Sequence, residues 1–481
     1  MKKARKYWQN TMWKLNNFKN NTAVITESGE KITYGELDAH CNALTDKIGK
    51  RCLVFNLCKN EIGSLAGYIG FLNAKIVPLM LKADLDFELL QECIRTYKPD
   101  YLHVPSSMAS QFDGCKEEVY KNLNYSLLKT PYDGIFELNE ELALLLTTSG
   151  STGSPKLVRQ SYKNIEANTK SIVEYLNLDE SERAITTLPM NYTYGISVLN
   201  THLWAGASVI LTEKGLMQKE FWQQFKEFEA TSLAGVPYTY EMLNRLRFFR
   251  MDLPSLRYMT QAGGKLSPEL HEKFAQWALE NNRKFVVMYG QTEATARMSY
   301  LPAEKSLEKY GSMGIAIPGG KFSLIDADGK EISTPETVGE LVYEGENVTL
   351  GYAVCGEDLK KGDERHGKLI TGDMAKFDKD GFFYIVGRKK RFLKIFGNRV
   401  NLDETERLIK AKFPEIDCAC AGVDDKMEIF ITNPDYKSNV SDFIAEKTGL
   451  NFVAFRVNVI SQIPKNEAGK TLYKELECCN V

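Results

Sequence analysis

An unbroken apolar run, Leu142-Ala143-Leu144-Leu145-Leu146, gives way after Thr147 to Thr148-Ser149-Gly150-Ser151-Thr152-Gly153-Ser154-Pro155-Lys156, and this junction constrains the fold more than any other stretch. A run of that length without polar alternation fits a strand buried on both faces. Gly150 and Gly153 let backbone N–H groups converge on an anion and Lys156 adds a fixed positive charge, so the loop reads as a phosphate cradle. An ordinary surface turn uses the same residue types. The spacing G-x-x-G-x-x-K, with Pro155 before the lysine, departs from the G-x-x-x-x-G-K-[ST] of a mononucleotide P-loop that runs straight into a helix. Leu157 and Val158 read as more strand, and helical periodicity through Ile165, Thr169, Ile172, Val173 and Leu176 begins only after Ser161, the expected N-cap.

A chain of 481 residues exceeds one core, so two or more domains are expected. Short apolar segments alternate with helix-like ones over residues 51–81, 184–211 and 231–289, the rhythm of α/β layers around mainly parallel sheets. With 43% hydrophobic residues, 26% charged residues and a formal net charge of -2, nothing points to a nucleic-acid partner. The densest apolar stretch, residues 65–81, is interrupted by Asn73 and Lys75 and is too short for membrane insertion. The basic start is followed by Tyr7-Trp8-Gln9-Asn10 and not by an apolar region, so a cytoplasmic location is expected. The ten cysteines are scattered and read as reduced thiols, and neither Cys418/Cys420 nor Cys478/Cys479 has a histidine nearby to make a metal site.

After residue 310, glycines punctuate short strand-like runs such as Lys321-Phe322-Ser323-Leu324-Ile325, which suggests hairpins closing toward a small barrel. Residues 356–368 are nearly all charge and glycine and read as an exposed loop. A basic patch from Arg388 leads into a helix with Asp403 and Glu406 in capping-box spacing and Leu402, Leu408, Ile409 and Phe413 on its buried face. The domain boundary is placed there, giving residues 1–387 and 388–481.

Four further stretches carry chemical side chains at strand ends: Tyr289-Gly290-Gln291-Thr292-Glu293, Thr371-Gly372-Asp373 with Arg388 fifteen positions later, Gly339-Glu340-Leu341, and Gly469-Lys470. In this order, with residues 148–156, they resemble the adenylate-forming superfamily of acyl-CoA synthetases, nonribosomal-peptide adenylation domains and luciferases. The resemblance runs from about Thr33 to Lys470. It implies an N-terminal domain of two layered α/β subdomains plus a small β-barrel-like subdomain, then a small mobile α+β C-terminal domain.

It also implies an ATP-dependent activation of a carboxylic acid to acyl-AMP, with Mg²⁺ and with CoA or a phosphopantetheinyl carrier protein as the thiol acceptor. By this similarity Thr148, Ser149, Gly150, Ser151, Thr152, Gly153 and Lys156 hold the β- and γ-phosphates, and Glu293 holds Mg²⁺. Tyr289 stacks on adenine with Gly290, Gln291 and Thr292, and Gly263, Gly264 and Lys265 lie beside it. Asp373 accepts from the ribose hydroxyls near Arg388. Lys470 bridges carboxylate and α-phosphate, so Lys470, Glu293, Thr148 and Lys156 form the catalytic set. Lys390 matches the hinge, and Lys394 and Gly397 belong to the thiol-step loop.

The acyl pocket is expected from Asn191, Tyr194, Gly235, Val236, Pro237 and Arg297, the last pairing with a polar or acidic substrate group or serving a structural role. No Asp or Glu occurs in residues 188–200, so an α-ammonium has no counter-charge and an amino-acid-adenylating ligase is the secondary reading. Leu157 departs from the family pattern, which has glycine there. A nucleotide-binding kinase or ATPase is the remaining alternative, and it differs in releasing ADP.

Overall fold

The computed structural model describes residues 12–147, 156–395, 398–448, 450–465, 469 and 471–477. The chain divides into two compact units, residues 1–321 with 343–369, and residues 322–342 with 370–481. The boundary expected at Arg388 falls inside the second unit.

The first unit is built on two mixed sheets. One has eight strands, with Leu53–Cys58, Val77–Lys82, Tyr101–Pro105 and Leu142–Thr147 parallel at its centre and Leu157–Ser161 antiparallel beside Leu142–Thr147. The other has nine strands and runs parallel through Thr22–Ile25, Ser208–Ile210, Arg183–Ile185, Ser232–Gly235, Tyr258–Gln261 and Lys284–Tyr289. These are the two layers expected from the alternation of segments. Helices Tyr34–Thr45, Ile62–Asn73 and Thr193–Ala205 contribute to one core together with strands of both sheets, and Tyr68 Oη donates to Asn200 Oδ1 at 2.9 Å across it.

Local signals explain where elements start. The apolar run Leu142–Thr147 is buried along its length until Thr147, as a strand covered on both faces must be. Ser161 caps the helix Tyr162–Leu176, its hydroxyl accepting from Asn164 N while Asn164 returns a bond to Ser161 N. Leu157 is fully buried, paired with Thr147 on one side and Ala353 on the other. Residues 356–368 are less exposed than their composition suggests. Leu359 and Asp358 are buried in the short helix Gly356–Lys360, and Glu364 pairs with the fully buried Arg159. The charges there serve a buried partner, which composition alone does not reveal.

The second unit contains a four-stranded sheet formed by Gly320–Ile325, Gly339–Gly345, Lys368–Phe377 and Phe383–Arg388, in that order. This is the form taken by the glycine-punctuated hairpins. Beyond it, the three strands Cys418–Val423, Lys426–Ile431 and Phe455–Val459 carry the helices Leu402–Lys412 and Lys437–Thr448. The helix Leu402–Lys412 is capped by Asn401, whose Oδ1 accepts from Asp403 N and Glu404 N. Asp403 and Glu406 do not form the expected capping box, because both are ion-paired to Arg391, at 2.8 and 2.5 Å. Leu402, Ile409 and Phe413 face the core as expected. Among the described residues no helix is long and apolar enough to cross a membrane, and no cluster of metal-binding side chains occurs.

His103 is buried in the first unit, its Nδ1 2.8 Å from Asn56 Oδ1 and its ring 4.8 Å from that of Tyr125. Burial lowers its pKa to about 3, so the folded protein keeps the ring neutral. The unfolded chain takes up a proton below about pH 6.5 and the folded one does not until near pH 3. Stability is therefore fully present above pH 6.5 and lost as pH falls. We expect unfolding free energy to drop between pH 6.5 and 5 by up to about 1.4 kcal/mol per pH unit from this group, and His103→Gln to flatten that slope in denaturant titrations.

Candidate active site

In an open α/β sheet, ligands meet the chain beyond the carboxyl ends of parallel strands. Four neighbouring strands of the nine-stranded sheet deliver expected site residues from those ends. Residues 188–194 follow Arg183–Ile185, Gly235-Val236-Pro237 closes Ser232–Gly235, Gly263-Gly264-Lys265 follows Tyr258–Gln261, and residues 289–293 follow Lys284–Tyr289. These segments touch. An added Cβ on Gly263, which has φ +86°, would lie 2.7 Å from Tyr192 Oη and 3.0 Å from Val236 Cγ1. Tyr194 Oη donates to Thr260 O at 2.8 Å. Lys265 is exposed.

The Tyr-Gly-Gln-Thr-Glu segment ends in a tight turn. A Cβ on Gly290 would sit 1.6 Å from Ala296 O, so only glycine lets residues 294–297 fold back over it. Asn347 secures the turn, Nδ2 donating to Ala294 O at 2.8 Å and to Arg297 O at 2.9 Å while its carbonyl accepts from Thr295 Oγ1 at 2.7 Å. Glu293, half-buried, accepts through Oε1 from Tyr352 Oη at 2.7 Å. The Lys156 ammonium lies 3.4 Å from the centre of the same tyrosine ring, and the Arg365 guanidinium 4.6 Å from it. Arg365 also donates to Glu293 O at 2.9 Å. Burial, and then the Glu293 carboxylate, pushes the Tyr352 phenol up to about 12, so it remains a donor. Lys156 and Glu293, distant in sequence, thus share one aromatic side chain.

The expected pocket residues fall on the other side of this turn. Arg297 is 3% exposed, stacks 3.8 Å over the Tyr194 ring and donates through Nε to Met288 Sδ at 3.3 Å. Asn191 Oδ1, Thr193 Oγ1 and Gln261 Oε1 are buried acceptors with no hydrogen-bond partner among the described residues.

In the second unit, Asp373 and Arg388 are opposite one another across two antiparallel strands, Arg388 Nε 2.8 Å from the buried Asp373 carboxylate. Lys389 pairs with Glu340 at 2.7 Å. Arg391 binds Asp403 and Glu406 and lies 3.8 Å over the Tyr473 ring. Lys390 therefore stands between two residues tied to the four-stranded sheet and one tied to the following helix. Lys394 is exposed on the strand Phe392–Ile395. Thr148, Ser149, Gly150, Ser151, Thr152, Gly153, Gly397 and Lys470 lie outside the described residues.

Sequence reasoning missed Tyr352, Arg365 and Asn347. Each is an ordinary loop or strand residue by composition, and only the pairing of Gly351–Ala353 with Leu157–Ser161 brings Tyr352 beside Lys156. We expect Gly290→Ala to destabilise the protein by about 3 kcal/mol or more, because the added methyl meets backbone and not a flexible side chain. Denaturant unfolding checks this, and a variant as stable as the parent would show that the turn does not require glycine. Tyr352→Phe, which keeps the ring under Lys156 and removes the hydroxyl, is expected to lower affinity for the Mg²⁺ complex of ATP more than affinity for metal-free ATP, as read by calorimetric titration.

The family model described as AMP-binding enzyme matches residues 12–353. The peroxisomal OPC-8:0-CoA ligase 1 of Arabidopsis thaliana is 31% identical over 351 residues, 70% of this chain and 64% of the relative. The oxalate–CoA ligase of Arabidopsis thaliana is 30% identical over 351 residues, 68% of this chain and 65% of the relative. The matched part thus spans less than two thirds of either relative. The O-succinylbenzoate coenzyme A synthetase of Bacillus subtilis in complex with AMP shares the fold, with a TM-score of 0.78 at 20% identity over 97% of this chain and 98% of that one. The chain belongs to the AMP-binding enzymes of the adenylate-forming superfamily.

Proposed function

We propose that the chain activates a small carboxylic acid with ATP and transfers the acyl group to the thiol of CoA. A carboxylate oxygen attacks the α-phosphorus, pyrophosphate leaves, and the resulting mixed anhydride is attacked at its carbonyl carbon by the thiol, releasing AMP. The observation that carries this reading is the Lys156–Tyr352–Glu293 cluster: Glu293 follows the parallel strand Lys284–Tyr289, Lys156 precedes Leu157–Ser161, and Tyr352 lies on Gly351–Ala353, which pairs antiparallel with it. It sets a cation and a carboxylate on one support, and the cation is the residue that ends the glycine- and hydroxyl-rich sequence. The curated relatives named above, both CoA ligases, support the same reading.

The residues suit the nucleotide and its metal. A single carboxylate with one oxygen engaged fits a cation whose remaining ligands are phosphate oxygens and water, the usual situation of Mg²⁺. Glu293 would hold such an ion, which would supply positive charge against the phosphates. Residues 148–153 with Lys156 are assigned the β- and γ-phosphates, and Tyr289, Gly290, Gln291, Thr292, Gly263, Gly264 and Lys265 the adenine. Asp373, with Arg388, is assigned the ribose hydroxyls, and Lys470 the transferring centre. Asn191, Tyr194, Gly235, Val236, Pro237 and Arg297 are assigned the acyl group. Residues 388–481 are read as the rotating domain with Lys390 as pivot, since ionic anchors flank it on both sides. Lys394 and Gly397 are assigned to the thiol step, with a carrier-protein phosphopantetheine as the alternative acceptor. The eight described cysteines are all unpaired, which suits the cytoplasm.

The test is product identity: AMP and pyrophosphate with a carboxylic acid and CoA, against ADP and phosphate for a kinase. Lys156→Ala and Glu293→Gln are expected to slow ATP–pyrophosphate exchange by at least about a hundredfold. Lys470→Ala is expected to lose exchange equally and to keep thioester formation from supplied acyl-adenylate. Exchange at the parent rate in that variant would remove Lys470 from the reaction.

A further inference from the structure

Arg365 is a guanidinium set beside the site without a carboxylate of its own. The chain brings it there by returning along the edge of the eight-stranded sheet. After the short helix Gly356–Lys360, Glu364 N donates to Leu350 O at 2.8 Å, and the next residue reaches the turn that carries Glu293. The two acids that precede it in sequence are engaged elsewhere. Glu364 pairs with Arg159, and Asp363 Oδ1 accepts from the backbone N–H groups of Arg365 and His366, at 2.8 and 2.9 Å. Among the described residues the half-buried Arg365 side chain makes no ion pair, and it meets Glu293 O at 2.9 Å, Thr349 Oγ1 at 2.6 Å and the Tyr352 phenol instead.

The bond to Glu293 O is surplus to holding the turn. The same oxygen accepts from Thr349 N and from Thr349 Oγ1, each at 3.0 Å, so a carbonyl with two lone pairs has its partners without the arginine. A neutral residue at 365 would leave that anchoring in place. What the arginine adds is charge. Its guanidinium lies 4.6 Å from the centre of the Tyr352 ring, and the Lys156 ammonium lies 3.4 Å from the same point. Two like charges gathered on one phenol repel each other, and the face of the ring offsets only part of that repulsion. Among the described residues Glu293 is the carboxylate bonded to this phenol, so the cluster holds two cations and one anion. With a divalent ion on Glu293, as assigned above, the positive excess grows. It then suits a polyphosphate better than a single phosphate.

We propose that Arg365 contacts the β- and γ-phosphates of ATP, and hence the pyrophosphate that leaves, as a second cation beside Lys156. This rests on the ATP-dependent reading above and adds to it a phosphate contact from outside the glycine- and hydroxyl-rich loop. A guanidinium offers parallel N–H donors to two phosphate oxygens, whereas an ammonium acts as a point charge. AMP keeps only the α-phosphate. Arg365 on this account separates the nucleotide that enters from the nucleotide that departs, holding the first and giving no hold on the second.

Calorimetric titration of the full chain and its Arg365→Met and Arg365→Lys variants with ATP and with AMP, both in the presence of Mg²⁺, tests this without knowledge of the acid. Arg365→Met is expected to weaken ATP binding by about tenfold or more and to leave AMP binding within about twofold. Arg365→Lys, which keeps the charge without the fork, should recover part of the ATP loss. Unchanged ATP affinity in Arg365→Met overturns the proposal. An equal loss for ATP and AMP also overturns it, since that is the mark of a structural role at the turn. If Arg365→Met does not fold, Arg365→Lys decides: a loss for ATP that exceeds the loss for AMP supports the proposal, and unchanged or equal losses overturn it. The acid-activating reading fails separately, on its products. Were ADP and phosphate formed, the comparison of ATP with AMP would still decide the role of Arg365, and a parent that binds neither nucleotide overturns both.

Discussion

The closure of residues 294–297 over Gly290 is the constraint on which both halves of the first unit's site depend. Thr295 has φ 60° and Ala296 φ 129°, the latter a conformation that an L-residue rarely adopts. Such positions cost of order 1–3 kcal/mol each, and they persist only where surrounding bonds over-determine them. Here Asn347 and Asn168 do so, gripping the turn from two different elements. The result is that two side chains four residues apart enter different surroundings. Glu293 turns to Tyr352 and Lys156, and Arg297 turns to the ring of Tyr194. A regular helix would have stacked them on one face.

The same economy governs the strand Leu157–Ser161. Arg159 is fully buried, yet it is paired with Glu364 and donates through Nε to Tyr352 O at 3.0 Å. A buried guanidinium with its carboxylate present acts as a brace, holding the backbone of Tyr352 against the strand that follows Lys156. Arg159 and Arg297 are chemically alike and similarly buried. The difference is the partner: Arg159 meets a carboxylate, whereas Arg297 meets a phenol, a ring and a thioether among the described residues.

Much of the fold was legible because its signals are local. The apolar run before Thr147, the hydroxyl of Ser161 three residues before Asn164, and the alternation of strand and helix each depend on residues within a few positions of one another. What failed to show was decided at long range. Asp403 and Glu406 have the spacing of a capping box, but Arg391 claims both carboxylates and Asn401 is left to cap the helix. Residues 356–368 look like a solvated loop until Arg159 is placed beneath Glu364. In the site, the sequence marked Tyr289 to Glu293 as the end of a strand, whereas Tyr352 and Asn347 carry no motif and gain their importance from strand pairing and from hydrogen bonds to a distant turn. Arg297 was visible as a residue near the pocket, but its burial was not, since periodicity does not predict a charged side chain in a core.

The hydroxyl of Tyr352 has one further consequence. Burial and the Glu293 carboxylate raise its pKa, so the phenol keeps its proton and donates it to Glu293 Oε1. Were Glu293 to hold an ion as proposed, Oε2 would be the oxygen with both lone pairs open to it, and Oε1 the one already shared with a proton. Calcium, with its larger and more flexible coordination shell, is well served by carboxylates that bind through both oxygens. Magnesium accepts one oxygen in a strict octahedron and keeps its waters. On the proposed assignment of Glu293, the Tyr352 phenol would thereby favour magnesium over calcium, two cations of equal charge.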